Sequence, residues 1–404
     1  MTELFTRRAS LLVALASLLA APACGGGGGD SSDCSDEPGT ACTWAGVKGQ
    51  RGFNGDRKDR RDSWLMYVND LTWGPDGRAY IVDWNNHRVR RVEADDTLTT
   101  IIGTDYEGDG PPGEVDRLPE GDPEGALGTT VALNHPTDVE FMPDGTMVLA
   151  AWHNNKLRMW DPRTGMVKVI AGNSYGYAGD DGEAWTALFN QPKALAIDED
   201  GQIYTIDQRN ERIRVIDSAE PRAIHTIAGT GAVGYTGDGG PALDAEFHWD
   251  IKPTPDPSGS LALKDGVLYI ADSLNHCVRS MDLATGVVES IAGTGEAGYS
   301  GDGGDAIEAK LDQPLDIEFG PDGRLYIADR FNNAIRALDL ESGIIDTVAG
   351  NGQQCDSPLD CAEEDDNVPA LDVQFSEPYG VAFDPDGNLY VADTNNSRIV
   401  RIAK

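Results

Sequence analysis

One pattern recurs along this chain and limits it more than any other feature. It reads Pro-x-x-aliphatic-x-aliphatic-x-x-Asp-Gly-x-aliphatic-Tyr-aliphatic-x-Asp-x-x-Asn, and its turn glycines are Gly77, Gly145, Gly201, Gly266, Gly323 and Gly387. The intervals between them are uneven, as expected for equal modules with variable loops. Inside each module the apolar period is two, the mark of strands. In the fifth copy Leu315 to Phe319 alternates, Pro321-Asp322-Gly323 turns, and Leu325 to Asp329 forms a second strand. Ala334 to Leu340 gives a third strand and Ile344 to Ala349 a fourth. Four short antiparallel strands joined by hairpins make a blade, and six blades make an all-β, six-bladed β-propeller. No helical period of useful length occurs after the first residues.

The sixth module has only three strands, Tyr379 to Ile402, before the chain ends at Lys404. Thr43-Trp44-Ala45-Gly46 and its trailing glycines match Thr226-Ile227-Ala228-Gly229. The spacing therefore predicts that an N-terminal strand completes the last blade beside Val400 and closes the ring, leaving no large open sheet edge.

The segments Tyr269 to Arg279, Tyr326 to Arg336 and Tyr390 to Ile399, with the blade ends Ile227-Ala228-Gly229-Thr230 and Ile291-Ala292-Gly293-Thr294, resemble the NHL-repeat family. The connectors Gly234 to Gly240 and Gly298 to Gly304 are similar to those of teneurin-like and bacterial NHL propellers. The resemblance covers roughly residues 43–404 and implies the propeller fold; it does not fix function.

The chain begins with Arg7 and Arg8 before the apolar run Leu11 to Ala21, and then Ala21-Pro22-Ala23-Cys24. That run is too short to span a bilayer and has the length of a signal peptide core. The segment resembles a bacterial lipobox, with Ala21 where leucine is usual; secretion with cleavage after Ala23 is the alternative. The expected organisation is a signal over 1–23, a flexible lipidated tether over 24–41 starting at Cys24, and the propeller over 42–404. The glycine-rich run Gly25 to Gly29 suits a spacer. Gly25 rather than Asp after the cysteine favours delivery to the outer membrane over retention at the inner one. Four other cysteines pair locally in this reading, Cys34 with Cys42 and Cys355 with Cys361, as suits an oxidising compartment. Cys277 is left as a small buried hydrophobe.

A formal net charge of −36 excludes binding to nucleic acid or anionic membrane surfaces through bulk electrostatics. Membrane attachment is therefore expected through the lipid alone, and the protein as a monomer.

Residues repeated six times read as structural. Asn86, Asn154, Asn210, Asn275, Asn332 and Asn396 are expected to close turns on their own backbone. Asp83, Asp207, Asp272, Asp329 and Asp393 are expected to accept backbone hydrogen bonds across them. Arg90, Arg158, Arg214, Arg279 and Arg336, with Val400 in the sixth place, are expected to pair with carboxylates between blades. The Gly-Asp-Gly connectors make calcium possible, but one Asp per loop falls short of the six to eight oxygens calcium takes; no cofactor is predicted.

Function is expected where the repeats diverge. The positions entering the innermost strands are Tyr67, His135, Gln191, Trp249, Gln313 and Glu377, a ring at the mouth of the central channel. Asp70, Asp138 and Asp316 share one place further along those strands. The favoured reading is an exported, lipid-anchored platform that binds a peptide, a carbohydrate or an envelope protein, with Tyr175, Tyr177, Tyr235 and Tyr299 as contact or packing residues. The alternative is a metal-dependent hydrolase or lyase, since related six-bladed propellers include lactonases and amidating lyases that hold calcium or zinc over the channel. Glu377, Asp70, Asp138 and Asp316 would approximate a lactonase ligand set. Among the histidines only His135 falls on the ring, so a three-histidine zinc site is not expected.

Overall fold

The computed structural model describes residues 34–110, 125–250, 256–353 and 366–404. Cys24 and the Cys355–Cys361 pair lie outside the described residues.

Six antiparallel sheets follow one another along the chain. The fifth blade shows the plan: Pro314–Phe319 innermost, then Leu325–Asp329, Ala334–Leu338 and Ile344–Ala349 outward. A fifth strand of two residues, Gly304–Asp305, adds to the outer edge, so each blade has five strands rather than the expected four. It forms because the connector entering a blade runs back along the outer strand of that same blade. Two residues carry no readable period, which hides such a strand from sequence.

The ring closes as expected. Thr40–Ala45 pairs with Arg398–Ile402 in the last blade, with Thr43 opposite Val400. A disulfide between Cys34 and Cys42, with Cα atoms 5.6 Å apart, ties down the approach to that strand. The compact unit begins at Cys34, inside the stretch read as tether: the Gly39 amide donates to Ala403 O at 2.8 Å and the Ser35 amide to Asn367 Oδ1 at 2.7 Å.

No blade has a core of its own. Each of the six buried clusters is shared by two consecutive blades, including the last and the first, where Trp44, Leu65 and Leu71 meet Tyr390 and Ile399. Both faces of every blade are therefore apolar, which explains why five of the six second strands, Ala79–Asp83 and Leu325–Asp329 among them, are buried at every residue. Among the described residues no helix is long and apolar enough to cross a membrane.

Candidate functional site

The repeated polar residues fasten the blades. In the fourth blade Asp272, fully buried, accepts the His248 amide at 2.9 Å and Asn275 Nδ2 at 2.9 Å. Asn275 also donates to Gly234 O at 2.7 Å, so this asparagine bridges to the incoming connector instead of closing its own turn. The left-handed residue is the next one, His276 at φ 53°. Arg279 is fully buried and meets Asp272 at 3.5 Å and Asp238 of the connector at 2.6 Å. The arginines thus pair within their own blade, not between blades. In the sixth blade Arg398, two positions before Val400, takes the role and lies 2.7 Å from Asp393. Burial pushes Asp207 up to about 6, and Asp272 and Asp329 up to about 7, against the pull of their asparagine and arginine partners.

The same geometry accounts for the connectors. Asp238 and Asp302, the single carboxylates that made calcium conceivable, each hold a buried guanidinium, Arg279 at 2.6 Å and Arg336 at 2.8 Å. Tyr177, Tyr235 and Tyr299 bond through their hydroxyls to Thr226, Ser290 and Thr347 on the outer strands, so they pack along the blades. Tyr175 stays 65% exposed.

Five of the six mouth positions share one backbone state. Tyr67, His135, Gln191, Gln313 and Glu377 all have φ between 50° and 61°. Side chains from the preceding blade hold four of their amides: His87 Nδ1 takes His135 at 3.2 Å, Asn155 Oδ1 Gln191 at 2.9 Å, His276 Nδ1 Gln313 at 3.2 Å and Asn333 Oδ1 Glu377 at 2.9 Å. Trp249 is the exception and is corrected. It is fully buried, stacks on Phe247 at 4.7 Å and donates Nε1 to Ala271 O, making it core rather than mouth. The fourth blade's inner strand starts only at Leu261, and the extra residues before it displace the pattern.

A second ring at the mouth escaped the sequence reading. It consists of the residue after the second strand in each blade: Trp84, Trp152, Gln208, Ser273, Arg330 and Thr394. These residues reach across to neighbours: Trp152 Nε1 donates to Gln208 Oε1 at 2.8 Å, and Arg330 donates to Glu377 Oε2 at 2.7 Å. Part of the signal was present, since this is the first of two places that vary between a repeated Asp and a repeated Asn. Between the first, fifth and sixth blades the two rings enclose a cavity of ≈ 240 Å³ lined by Tyr67, Asn69, Trp84, Arg330, Glu377 and Tyr379, among others.

Beside it, His87, His135 and His153 converge after all. Their ring centroids are 4.5 and 4.7 Å apart, between the indoles of Trp84 and Trp152. Burial, then His87 and His153, push His135 down to about 3, so it is neutral across the physiological range. His87 Nδ1 accepts the His135 amide, His135 Nε2 lies 3.0 Å from Asn85 Oδ1, and His135 Nδ1 lies 2.9 Å from His153 Nδ1. Among the described residues no three imidazole, thiol or carboxylate side chains form a group that could hold a metal ion.

Deeper, Asp70, Asp138, Asp316, Glu140, Glu318 and Lys193 line a channel cavity of ≈ 260 Å³. Asp138 accepts the Leu195 amide and Asp316 the Val381 amide, both at 2.7 Å, so these carboxylates stitch one inner strand to the next. Burial raises Asp138 to about 6 and Glu318 to about 8, with neighbouring carboxylates adding to the latter.

Comparison with known proteins agrees with this architecture. An NHL repeat family model matches residues 375–402. The Arabidopsis thaliana protein SUPPRESSOR OF QUENCHING 1, chloroplastic, is 28% identical over 281 residues, 65% of this chain and 24% of that one. Human NHL repeat-containing protein 2 is 25% identical over 377 residues, 88% of this chain and 42% of that one. Teneurin-1 of Caenorhabditis elegans is 26% identical over 371 residues, 84% of this chain and 12% of that one. The chain thus spans less than half the length of each of these relatives. An auxiliary nutrient binding protein from Bacteroides thetaiotaomicron superposes with a TM-score of 0.60 at 13% identity, over 90% of this chain and 75% of that one, a likeness of fold. The chain carries an NHL repeat at residues 375–402, is similar to NHL repeat-containing proteins, and folds as a six-bladed β-propeller.

Proposed function

We propose that this propeller is a binding module whose ligand site is the channel mouth, displayed outside the cytoplasm on a lipid carried by Cys24. The observation that carries the reading is the contrast between two classes of polar residue. Those that repeat, the Asp–Asn–Arg sets and the inner-strand Asp138 and Asp316, are engaged in holding blades together. Five of those that vary, Tyr67 and Glu377 of the first ring and Trp84, Arg330 and Thr394 of the second, line an open cavity. Variation of side chains on a fixed ring is how a rigid scaffold acquires a specific site.

Export is supported by the Cys34–Cys42 disulfide, which belongs in an oxidising compartment. The short apolar signal and Ala23-Cys24 support attachment through a lipid, with the outer membrane as destination. The candidate partners are a small carbohydrate, a peptide or a segment of an envelope protein, met by a monomer.

Elemental mass spectrometry on the protein, dialysed without chelator, separates this reading from a metallohydrolase. The binding module is expected to be folded without a stoichiometric metal. One calcium or zinc per chain, lost when Glu377, Asp138 and Asp316 are changed to Ala, would move the function to metal-dependent hydrolysis in the channel.

A further inference from the structure

The chemistry of the mouth cavity narrows what it can hold, and this inference rests on the mouth being the site. Its charges are balanced before any ligand arrives. Arg330, only 7% exposed, gives Nε and Nη2 to Glu377 Oε2 at 3.0 and 2.7 Å and sets Nη1 2.8 Å from Asp256 Oδ2. The Tyr379 hydroxyl donates to the same Asp256 oxygen at 3.2 Å. A second guanidinium, Arg51, sits at the rim on neutral partners, the Tyr67 hydroxyl at 2.7 Å and Asn395 O at 2.6 Å. Two arginines thus stand with two carboxylates. An ionic ligand within the cavity would have to break the Arg330 pairs, stranding a buried charge, or enter beside a charge of its own sign; only Arg51, at the rim, stands on neutral partners.

What is left unsatisfied is neutral. Asn69 is 3% exposed and forms the floor shared by the mouth cavity and the channel. Its Oδ1 accepts no hydrogen bond among the described residues, and the buried Trp84 Nε1 donates none. Both residues line the mouth cavity although the two atoms are themselves buried, and such an orphan acceptor and donor carry a desolvation penalty that a hydroxyl group reaching them relieves. The wall beside them is aromatic: Tyr67 stands edge-on to Trp84 with centroids 6.4 Å apart, and Tyr379 lies under Arg330 at 4.8 Å. An uncharged ring with hydroxyls around its rim and C–H groups on its face matches all three features. A volume of ≈ 240 Å³ falls below the ~300–1,000 Å³ of sites for larger ligands, so it takes one such ring.

We infer that the mouth cavity binds a single neutral pyranose, free or as the terminal unit of a glycan, oriented by Asn69 Oδ1 and Trp84 Nε1. Titration calorimetry with indole fluorescence would use glucose, galactose, mannose, xylose and N-acetylglucosamine, their methyl glycosides and β-linked disaccharides, with glucuronate, glucosamine and trialanine as controls. At least one neutral sugar is expected to bind and change the indole emission, with its charged counterpart about tenfold weaker or more. Preference for the free sugar or for the disaccharide tells the two sources apart. Asn69→Leu and Trp84→Phe, which keep bulk and an aromatic face, are each expected to weaken binding about tenfold without lowering the unfolding temperature. Absence of binding by every neutral sugar up to roughly 10 mM overturns the inference. Capture of glucuronate or trialanine in their place, lost in both variants, overturns the sugar class and leaves the mouth as the site. A neutral sugar whose affinity is untouched by Asn69→Leu, Trp84→Phe and Glu377→Gln overturns both, because its site then lies elsewhere.

Discussion

Changing Arg279 to Met tests whether the repeated polar residues are fasteners. The substitution keeps the length of the buried stem and removes the guanidinium from Asp272, Asp238 and the carbonyls of Thr236 and Glu246. Orphaning buried acceptors costs about 1–3 kcal/mol per group, and that part does not depend on pH. The carboxylate adds a part that does. Asp272 sits at about 7 in the folded protein, raised by burial and restrained by Arg279. A folded value above the unfolded one means stability is lost as pH rises through it. Below about pH 7 wild type and variant both keep the proton. Above it the wild type releases the proton, whereas the variant, deprived of its cation, holds on. The deficit should then grow by about 1.4 kcal/mol per pH unit, toward the ~3–5 kcal/mol typical of an uncompensated buried charge. Urea unfolding at pH 6 and pH 9 measures both parts. Adding Asp272→Asn to the variant should remove the slope, and Arg214→Met and Arg336→Met should repeat the result, since their aspartates are equally buried at 3.4 and 3.2 Å. A deficit under about 1 kcal/mol, or one that stays flat between the two pH values, would refute the reasoning.

Glu318, raised to about 8 in the channel by burial and Asp316, likewise makes the fold weaker as pH rises from the ordinary carboxylate range through 8. Glu318→Gln should therefore gain at least about 1 kcal/mol on the wild type between pH 5 and pH 9, read by urea midpoints, after allowing for screening by channel water; an unchanged difference counts against the assignment. Cys34→Ser opens a disulfide spanning a sequence separation of 8 and should cost about 2–3 kcal/mol, matched by adding a reductant to the wild type. Equal urea midpoints with and without reductant would show the bridge to be idle. Trp44→Ala empties the closure core, where the indole meets Tyr390 at 4.9 Å, and should cost about 3–5 kcal/mol in the same assay. A loss below about 1 kcal/mol would mean the N-terminal strand does not hold the ring shut.

The fold was legible because it is written six times, and ring closure was legible because Thr43-Trp44-Ala45-Gly46 repeats a blade end. The two-residue edge strands were not, since pairs such as Gly304–Asp305 have no period to detect. The arginine partners were misassigned because a hairpin brings Asp272 opposite the strand bearing Arg279, and the connector brings Asp238 to the same guanidinium. Position in the repeat marks both as structural but does not pair them. His87, His135 and His153 looked unrelated because two lie beside turns and one on the ring; adjacent blades place those three positions side by side. Trp249 was misplaced for a plainer reason, the loss of repeat spacing before Leu261. The second mouth ring occupies the first of the two variable places inside the Asp-x-x-Asn turn, so variation alone narrows the search to those two places without choosing between them.

A crystal structure of the protein soaked with the neutral sugar that binds best tests the central claim most directly. The account predicts one pyranose ring between Trp84 and Tyr379, with hydroxyls on Asn69 Oδ1 and Trp84 Nε1 and the Arg330–Glu377 pair intact. Density on the blade edges, along the outer connectors, or in the mouth only after that ion pair has opened would contradict it.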